Sequence, residues 1–246
     1  MERIFRKING LLLPGGGSSL WIIENEVSKQ GFANVTLASK FLVQLAIEAN
    51  NRGDFFPIWG TCLGLEMMLM DISEEAGILD EFNSENHHED LLFVKGNSRM
   101  WEGLNEHLKN YAMLHKPAFF YHKYGKRYDR FVENKKLRGF FDVNTVSRDF
   151  DDVWFVSSAE GRKLPFYISQ FHPEIAVFEW KKDVKANHEE EAILISQHLG
   201  NFFVKEARKN GHRFGMGEEE ELLIYNYSSV KVEEFYEQVY FFKNRK

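Results

Sequence analysis

The first part of the sequence alternates between two hydrophobic patterns, and this alternation restricts the possible folds more than any other feature. The stretch "INGLLLPGGG" is a short apolar run that ends in a glycine-rich turn, as is typical of a buried strand. Residues 34–50 have helical periodicity, and Gly53 is placed to end that helix. A second strand pattern, "FFPIWG", and a helix from about Leu63 to Ile72 follow. Strands that alternate with helices predict an α/β fold, with a mostly parallel sheet flanked by helices.

The rest of the chain predicts further strands and helices. We expect strands in "DLLFVK" and in the tail "EEFYEQVYFF", and helices in "MWEGLNEHLKNY", "ENKKLRGFF", "NHEEEAILISQHLGNFFVKEARKN" and "GEEEELLIY". The stretch "VWFVSSAEGRKLPFYISQFHPE" reads as a hairpin, because two β-rich runs surround a charged turn that contains Gly161. No repeat, low-complexity linker or domain boundary is evident, so the sequence predicts one domain over residues 1–246.

Composition excludes several classes of protein. A net charge of -6 over 246 residues argues against a general nucleic-acid binder. There is no run of about eighteen apolar residues, so we expect no transmembrane helix. The basic start of the chain is followed by three leucines and then glycines, which is too short for the core of a signal peptide. One cysteine allows no internal disulfide and leaves the redox compartment open.

The only cysteine, Cys62, lies where the second predicted strand meets its helix, with Gly60 and Gly64 on either side. The pattern G-x-C-x-G at such a turn is the cysteine form of a nucleophile elbow, in which larger residues would crowd the backbone. The N-terminus of a helix that begins at Leu63 favours the thiolate, and the first amide of that helix can donate to an oxyanion. A buried structural cysteine is the common alternative, and the pattern alone does not decide between the two.

A second candidate group lies in "QFHPE", at the end of an apolar strand pattern. Residues i and i+2 of an extended segment point the same way, so His172 and Glu174 can face one cleft. A carboxylate beside an imidazole fixes its tautomer and stabilises its charged form, which suits a general base and its orienting acid. A surface histidine at a strand end is the alternative.

The turn "PGGG", residues 14–17, is a third candidate element. Glycine-rich turns after a first strand can hold phosphates, but the spacing of a dinucleotide motif or a P-loop is absent. Such a turn can instead supply a second oxyanion amide, or it can be an ordinary turn.

Three further histidines show no metal-ligand spacing, and the sequence predicts no metal site: His107, His115 and His122. His87 and His88 lie in a polar stretch, and we expect them to be solvated. Three methionines of the helix after Cys62 recur at helical spacing and are expected in the core: Met67, Met68 and Met70.

These elements, in this order, resemble the class I glutamine amidotransferase-like superfamily and, within it, the gamma-glutamyl hydrolase family. The resemblance is carried by "INGLLLPGGG", "GDFFPIWGTCLGLE", "NSRM", "FYHKYG", "FHPE" followed by "FEW", and "FFVKEARKN". These stretches extend over nearly the whole chain. The combination of "PIWGTCLGLE" with "FHPE…FEW" is highly specific to the family.

The resemblance implies a cysteine hydrolase that cleaves γ-glutamyl bonds of folylpoly-γ-glutamates and antifolate polyglutamates through an acyl-enzyme. Cys62 matches the nucleophile of the family, His172 the base and Glu174 the orienting acid. Leu63 and Gly16 match the positions that supply oxyanion amides. No metal or cofactor is implied.

The resemblance also suggests substrate contacts and a cellular location. His122, in "FYHKYG", matches a substrate-site histidine of the family, and Arg99 and Lys123 are candidates for holding the α-carboxylates of the polyglutamate tail. Family members are lysosomal, vacuolar or secreted glycoproteins and commonly dimers. The sequons at Asn34 and Asn226 are therefore candidates for glycosylation, and a homodimer is a possible assembly.

Family members begin with a signal peptide and further strands before the segment that matches "ING". The resemblance therefore predicts that this chain is truncated at its N-terminus relative to the family, and that it is poorly stable and inactive as written. Two alternatives to an active hydrolase stay open. The first is a catalytically inactive truncated isoform or fragment, and the second is a glutaminase-type amidotransferase.

Overall fold

The computed structural model describes residues 1–24, 28–232 and 236–242. The helices are α1 (Glu2–Phe5), α2 (Asn34–Asn51), α3 (Leu63–Ser73), α4 (Glu106–Leu114), α5 (Tyr128–Glu133), α6 (Lys135–Phe140), α7 (Ile175–Phe178) and α8 (Glu190–Ala207). The strands are β1 (Leu11–Leu13), β2 (Trp21–Glu24), β3 (Ser28–Phe32), β4 (Ile58–Thr61), β5 (Asp80–Glu89), β6 (Leu92–Phe93), β7 (Ala118–Gly125), β8 (Phe141–Arg148), β9 (Trp154–Gly161), β10 (Phe166–Ser169), β11 (Ser229–Lys231) and β12 (Gln238–Tyr240). Residues 233–235 of the predicted tail strand lie outside the described residues.

In the described part of the chain, a six-stranded sheet has the order β1-β4-β10-β9-β8-β6. Strand β4 lies between β1 and β10 and is parallel to both. The predicted α/β fold, with parallel strands and flanking helices, is confirmed. The sheet is mixed rather than mostly parallel, because its other three pairings are antiparallel. Strands β8, β9 and β10 follow one another through short loops that reverse the chain, as the predicted hairpin around Gly161 requires.

Successive side chains of the central strands point to opposite faces of the sheet and lie in two hydrophobic cores, one on each face. Ile58 points into the core formed with α2, α3, α5 and α6, whereas its neighbour Trp59 points into the core formed with α4 and α8. The predicted core methionines all lie in the first of these cores: Met67, Met68 and Met70. Within the described residues, no helix combines the length and the apolar character needed to cross a membrane.

Strand β1 forms one edge of the sheet and has a strand partner on one side only among the described residues. Leu12, in the middle of β1, is 54% exposed. It borders an open groove of about 640 Å³, which also contacts Trp59, Glu174, Phe178 and Val204. The groove is mainly apolar and lies between this edge of the sheet and helix α8. The edge therefore combines a strand that can still accept a pairing partner with exposed hydrophobic surface.

Three local predictions were wrong. The helix expected over "MWEGLNEHLKNY" begins only at Glu106, after its N-cap Asn105, and residues 100–104 are not helical. The stretch "GEEEELLIY" forms two short 3-10 helices, Glu220–Leu222 and Ile224–Asn226, instead of one α-helix. Consecutive glutamates repel one another at helical spacing, and the segment is too short for an apolar face to offset this. His87 is not solvated, because it is buried in strand β5 at 5% exposure, while His88 on the opposite face is exposed.

Candidate active site

Cys62 occupies a strained turn between strand β4 and helix α3. Its backbone angles are φ 48° and ψ -106°, a conformation that residues with a side chain rarely adopt. A Cβ built on Gly60 would lie 2.7 Å from the Gly64 backbone, and one built on Gly64 would lie 2.1 Å from the Leu13 carbonyl oxygen. The predicted role of the two glycines in relieving crowding is confirmed. The sequence therefore forms a nucleophile elbow with the cysteine at its corner.

The glycine-rich turn after β1 packs directly against this elbow. A Cβ on Gly15 would lie 2.5 Å from Cε1 of His172 and 3.4 Å from Cβ of Cys62, so only glycine fits between these two side chains. A Cβ on the next residue, Gly16, would lie 3.8 Å from Cδ2 of Leu63. The amide of Leu63 is the first of helix α3 and has no acceptor within the helix. The structure thus brings Gly16 next to Leu63, the residue that follows Cys62.

His172 follows strand β10, and its ring lies between Cys62 and Glu174. The Nδ1 atom is 2.8 Å from Oε1 of Glu174, so Nδ1–H donates to the carboxylate and the ring faces the thiol with its other edge. Burial alone would lower the pKa of His172, but hydrogen bonds to Cys62 and Glu174 raise it above its ordinary value. The raised pKa favours a charged His172 ring next to the Cys62 sulfur, an arrangement that suits an activated cysteine nucleophile.

Strand β7 carries the predicted substrate residues His122 and Lys123 and forms a third wall of the site, although the sequence analysis did not predict a strand here. The Phe119 carbonyl oxygen accepts a 2.9 Å hydrogen bond from the His172 amide, and the Tyr121 carbonyl oxygen lies 3.7 Å from Sγ of Cys62. The two carbonyls are two residues apart on one strand, so β7 lies beside both Cys62 and His172. The sequence signal for this strand is the aromatic run in "AFFYHKYG".

Glu66, one turn into helix α3, is a second feature of the site that was not predicted. It is 6% exposed in an otherwise apolar stretch, "LGLEMMLM". Burial raises the pKa of Glu66 to about 8, against the opposing effect of nearby His172. A carboxyl group that is neutral at pH 7 can donate a hydrogen bond. The signal in the sequence is a carboxylate inside the apolar run of residues 63–70.

His122 lies on β7 next to the site but points into the protein interior. It is 3% exposed and surrounded by the rings of Phe82, Phe120 and Phe155. Nδ1–H donates to the Tyr124 carbonyl oxygen at 2.9 Å, and Nε2 has no partner among the described residues. Burial lowers the pKa of His122 to about 3, so the ring is neutral. A neutral ring with an open nitrogen can accept a hydrogen bond but offers no positive charge.

The structure separates the other two predicted substrate contacts. Arg99 donates to the carbonyl oxygens of Gly161 and Leu164, at the end of β9 and β10 opposite His172, and the structure does not bring it to Cys62. Lys123 is exposed on β7, and its Nζ lies 5.7 Å from the ring centroid of Tyr124. It shares a strand face with Tyr121, whose carbonyl meets Cys62.

Both sequon asparagines lie on the surface. Asn34 is the first residue of helix α2, and Asn226 ends the second 3-10 helix; both are exposed. Thr36 of the first sequon is buried, and its hydroxyl donates to the Leu20 carbonyl oxygen at 2.8 Å. In the part of the chain that the structure describes, no group of three or more His, Cys, Asp or Glu side chains could hold a metal ion.

The fold and the site define an α/β protein with a Cys–His–Glu constellation at adjoining strand ends. No protein-family model matches the chain. Among curated proteins, gamma-glutamyl hydrolase of Rattus norvegicus is 39% identical over 232 residues, which cover 93% of this chain and 69% of that protein. Gamma-glutamyl hydrolase of Homo sapiens is 36% identical over 232 residues, with the same coverage. Gamma-glutamyl hydrolase B of Dictyostelium discoideum is 33% identical over 249 residues, or 98% of this chain and 69% of that protein.

A solved structure described as a putative GMP synthase subunit from Thermoplasma acidophilum has a TM-score of 0.45 and 15% sequence identity, over 82% of this chain and 77% of that one. On the strength of the curated relatives, the chain belongs to the gamma-glutamyl hydrolase family. The resemblance found in the sequence motifs is thereby confirmed.

Proposed function

We propose that this chain is a cysteine hydrolase that cleaves γ-glutamyl bonds of folylpoly-γ-glutamates and of antifolate polyglutamates. One observation carries the proposal. Cys62 lies in a nucleophile elbow against a partly buried His172, whose Nδ1 is 2.8 Å from Oε1 of Glu174. This arrangement supplies a nucleophile, a general acid–base and an orienting carboxylate, the minimum set for acyl transfer by a thiol.

In the first step, the Cys62 thiolate attacks the carbonyl carbon of the γ-glutamyl amide. The carbonyl oxygen becomes an oxyanion, and the amides of Leu63 and Gly16 donate to it. The His172 imidazolium then gives its proton to the nitrogen of the leaving glutamate, and the C–N bond breaks. The products are a thioester on Cys62, a neutral imidazole and a free amine.

In the second step, water hydrolyses the thioester. Neutral His172 removes a proton from the water while the oxygen attacks the thioester carbonyl. Collapse of the intermediate releases the γ-carboxylate product and the Cys62 thiolate, and the imidazolium is restored. Glu174 accepts the hydrogen bond from Nδ1–H of His172 throughout and stabilises the charged imidazole.

The surroundings of Cys62 support a role for β7 in substrate binding. Lys123 lies on the exposed face of this strand and suits an α-carboxylate of the polyglutamate tail. His122 is neutral and buried, so it fits a polar contact made through Nε2 better than an ion pair. Arg99 is engaged elsewhere in the fold and has no part in this proposal.

Two measurements on one preparation test the proposed function. Iodoacetamide should alkylate Cys62, the only cysteine in the chain. Mass spectrometry should then show the mass increase of a single adduct. A folate pentaglutamate should be shortened, and the product masses will show whether cleavage is internal or terminal. A Cys62→Ser variant is the matched control, since it keeps the shape of the site and loses the thiol. Absence of hydrolysis in the folded wild-type chain would support the inactive-isoform alternative and overturn the proposal.

The family resemblance supports three further proposals. Residues 1–246 would act as one gamma-glutamyl hydrolase-like domain. This domain would function in the lysosome, the vacuole or outside the cell. Glycans would be carried on Asn34 and Asn226, which are both exposed. Asn34→Gln and Asn226→Gln variants, directed into a eukaryotic secretory pathway, should each remove one endoglycosidase-sensitive mobility shift. A homodimer would be detected by sedimentation equilibrium.

A further inference from the structure

Helix α7 begins at the residue after the orienting carboxylate of the proposed site. Glu174 is the N-cap of this helix, and its carbonyl oxygen accepts hydrogen bonds from the amides of Val177 and Phe178 at 3.2 and 3.1 Å. The Glu174 side chain is 47% exposed, so neighbouring groups enclose only about half of it. The position of the carboxylate beside His172 therefore depends on how firmly helix α7 is held.

Helix α7 has only four residues and cannot fix its own position. Isolated helices shorter than about 12–15 residues are marginal in water. Ile175 and Ala176 are each 3% exposed and face the protein, whereas Phe178 is 68% exposed. The helix consequently depends on contacts that other parts of the chain make with it.

His188, two residues before helix α8, makes two such contacts. Its Nδ1–H donates to the Ala176 carbonyl oxygen at 2.9 Å, because a carbonyl can only accept. The imidazole also stacks on the indole of Trp180, with ring centroids 4.0 Å apart and an interplanar angle of 11°. The indole in turn donates to the Val177 carbonyl oxygen at 3.1 Å. One side chain thus joins the start of the 18-residue helix α8 to the segment that carries Glu174.

These contacts meet the same residues that bond to Glu174. Val177 donates to the Glu174 carbonyl oxygen through its amide and accepts from Trp180 through its own carbonyl oxygen. Ala176, which accepts from His188, is the residue before it. Loss of the His188 side chain would therefore release helix α7 on the side where it connects to the carboxylate.

We propose that His188 is a positioning residue, which holds helix α7 so that Glu174 stays within hydrogen-bond distance of His172. This inference rests on the proposed γ-glutamyl hydrolase function and adds a residue to its site. His188 acts through the helix, so its contribution to the rate exists only while position 174 carries an orienting group.

A double-mutant cycle tests this dependence. His188→Ala should lower kcat on a folate diglutamate by about 10-fold, because a displacement of about 1 Å can cost up to about 10²-fold in rate. KM should change less than about 2-fold, since the substrate contacts remain. In a Glu174→Ala background, where no carboxylate is left to position, the same substitution should lower kcat less than about 2-fold.

A conservative variant separates the hydrogen bond from the bulk of the ring. His188→Asn can place an amide donor where Nδ1 was, so its kcat should stay within about 3-fold of the wild-type value. If His188→Ala does not fold, His188→Phe takes its place in the cycle, because it keeps a ring on Trp180 and loses the donor. Urea denaturation of each variant shows that the assayed protein is folded.

His115→Ala is the matched control. His115 also stacks on an aromatic ring, with centroids 4.6 Å apart and an interplanar angle of 6°, but that ring is Tyr111 of helix α4. The control should leave kcat and KM within about 2-fold of the wild-type values.

Two results would overturn the role of His188 and leave the proposed function intact. One is an unchanged kcat in His188→Ala, and the other is an equal loss of kcat with and without the Glu174 carboxylate. If the wild-type chain does not hydrolyse the diglutamate, the proposed function fails and this inference fails with it.

Discussion

The backbone amide of Cys62 donates a 2.8 Å hydrogen bond to the carbonyl oxygen of Ser169, three residues before His172. The nucleophile and the base are thus joined through the ends of two neighbouring parallel strands, β4 and β10. Thr61 and Ser169 are register partners there, and the Trp59 indole donates to both hydroxyls at 3.1 and 3.2 Å. Because the sheet backbone positions the reacting groups, side-chain substitutions at the site should alter chemistry more than folding.

Cys62→Ala should abolish turnover and leave the melting temperature within about 2 °C of the wild-type value. The variant keeps the Cβ that the strained backbone already accommodates, so no new steric cost arises. Hydrolysis of a folate diglutamate and a thermal melt are the two measurements. Residual activity above a few per cent would show that another group is the nucleophile.

His172→Asn should lower kcat by roughly 10²–10⁴-fold, the usual value of general acid–base catalysis. Glu174→Gln should cost less, because the imidazole remains in place and the amide oxygen can still accept from Nδ1–H. Steady-state kinetics of both variants on one substrate would compare them, with circular dichroism as the folding control. A larger loss in Glu174→Gln than in His172→Asn would contradict the assigned roles.

Gly64→Ala should destabilise the protein by at least about 3 kcal/mol or prevent it from folding, because the new Cβ would lie 2.1 Å from the Leu13 carbonyl oxygen. Gly200→Ala is the control. Gly200 lies within helix α8, and its added Cβ meets nothing within 4 Å. That variant should gain roughly 0.5–1 kcal/mol from helix propensity. Urea denaturation monitored by circular dichroism gives both values, and similar stabilities of the two variants would disprove this account of the elbow.

Asp71→Asn should stabilise the protein at pH 7.5 by about 1–3 kcal/mol and have little effect at pH 4. Asp71 is 5% exposed and accepts a 3.3 Å hydrogen bond from Ser39. Burial raises the pKa of Asp71 to about 7, so the folded state holds a proton that the unfolded state releases near pH 4. Stability is therefore lost as the pH rises from about 4 to 7. The measurement is urea denaturation of the wild type and the variant at both pH values, with Asp151→Asn, a substitution at an exposed site, as the control. A stability difference between Asp71→Asn and the wild type that is the same at both pH values would contradict this prediction.

Leu12→Lys should slow aggregation of the purified chain, because a charged side chain on an edge strand discourages pairing with another molecule. Leu12 is 54% exposed on edge strand β1, beside the apolar groove. Leu114→Lys is the control, since Leu114 is 71% exposed at the end of helix α4, away from that edge. Light scattering at fixed concentration and temperature distinguishes the two variants. Equal rates of aggregation would show that the β1 edge is not the responsible surface.

The elbow could be predicted from sequence because its constraints are local. A tight strand-to-helix turn needs small residues two positions from its corner, and Gly60 and Gly64 supply them. The long helices were predicted for a similar reason. α2, predicted over residues 34–50, runs from Asn34 to Asn51, since its apolar residues recur at the helical period.

Features that depend on long-range packing could not be predicted in this way. Strand β5 lacks a simple apolar alternation, because its inward positions include polar residues such as Ser84 and Glu89. Burial of His87 depends on this strand pairing with β7, far away in sequence. The C-terminal hairpin, β11 and β12, is held beside helix α7 by contacts such as the Glu237 amide with Glu179, which no local pattern signals.

The crowding around Gly15, Gly60 and Gly64 has a consequence for the history of such a chain. These positions tolerate no added atom, whereas Cys62 could be exchanged for serine or alanine without changing the space that the turn fills. Selection for a folded chain therefore acts on the glycines even when catalysis is no longer needed. A descendant could lose the thiol in a single step and keep the fold. In such a lineage the conserved glycines would indicate common descent, and the residue at position 62 would indicate whether the protein still catalyses the reaction.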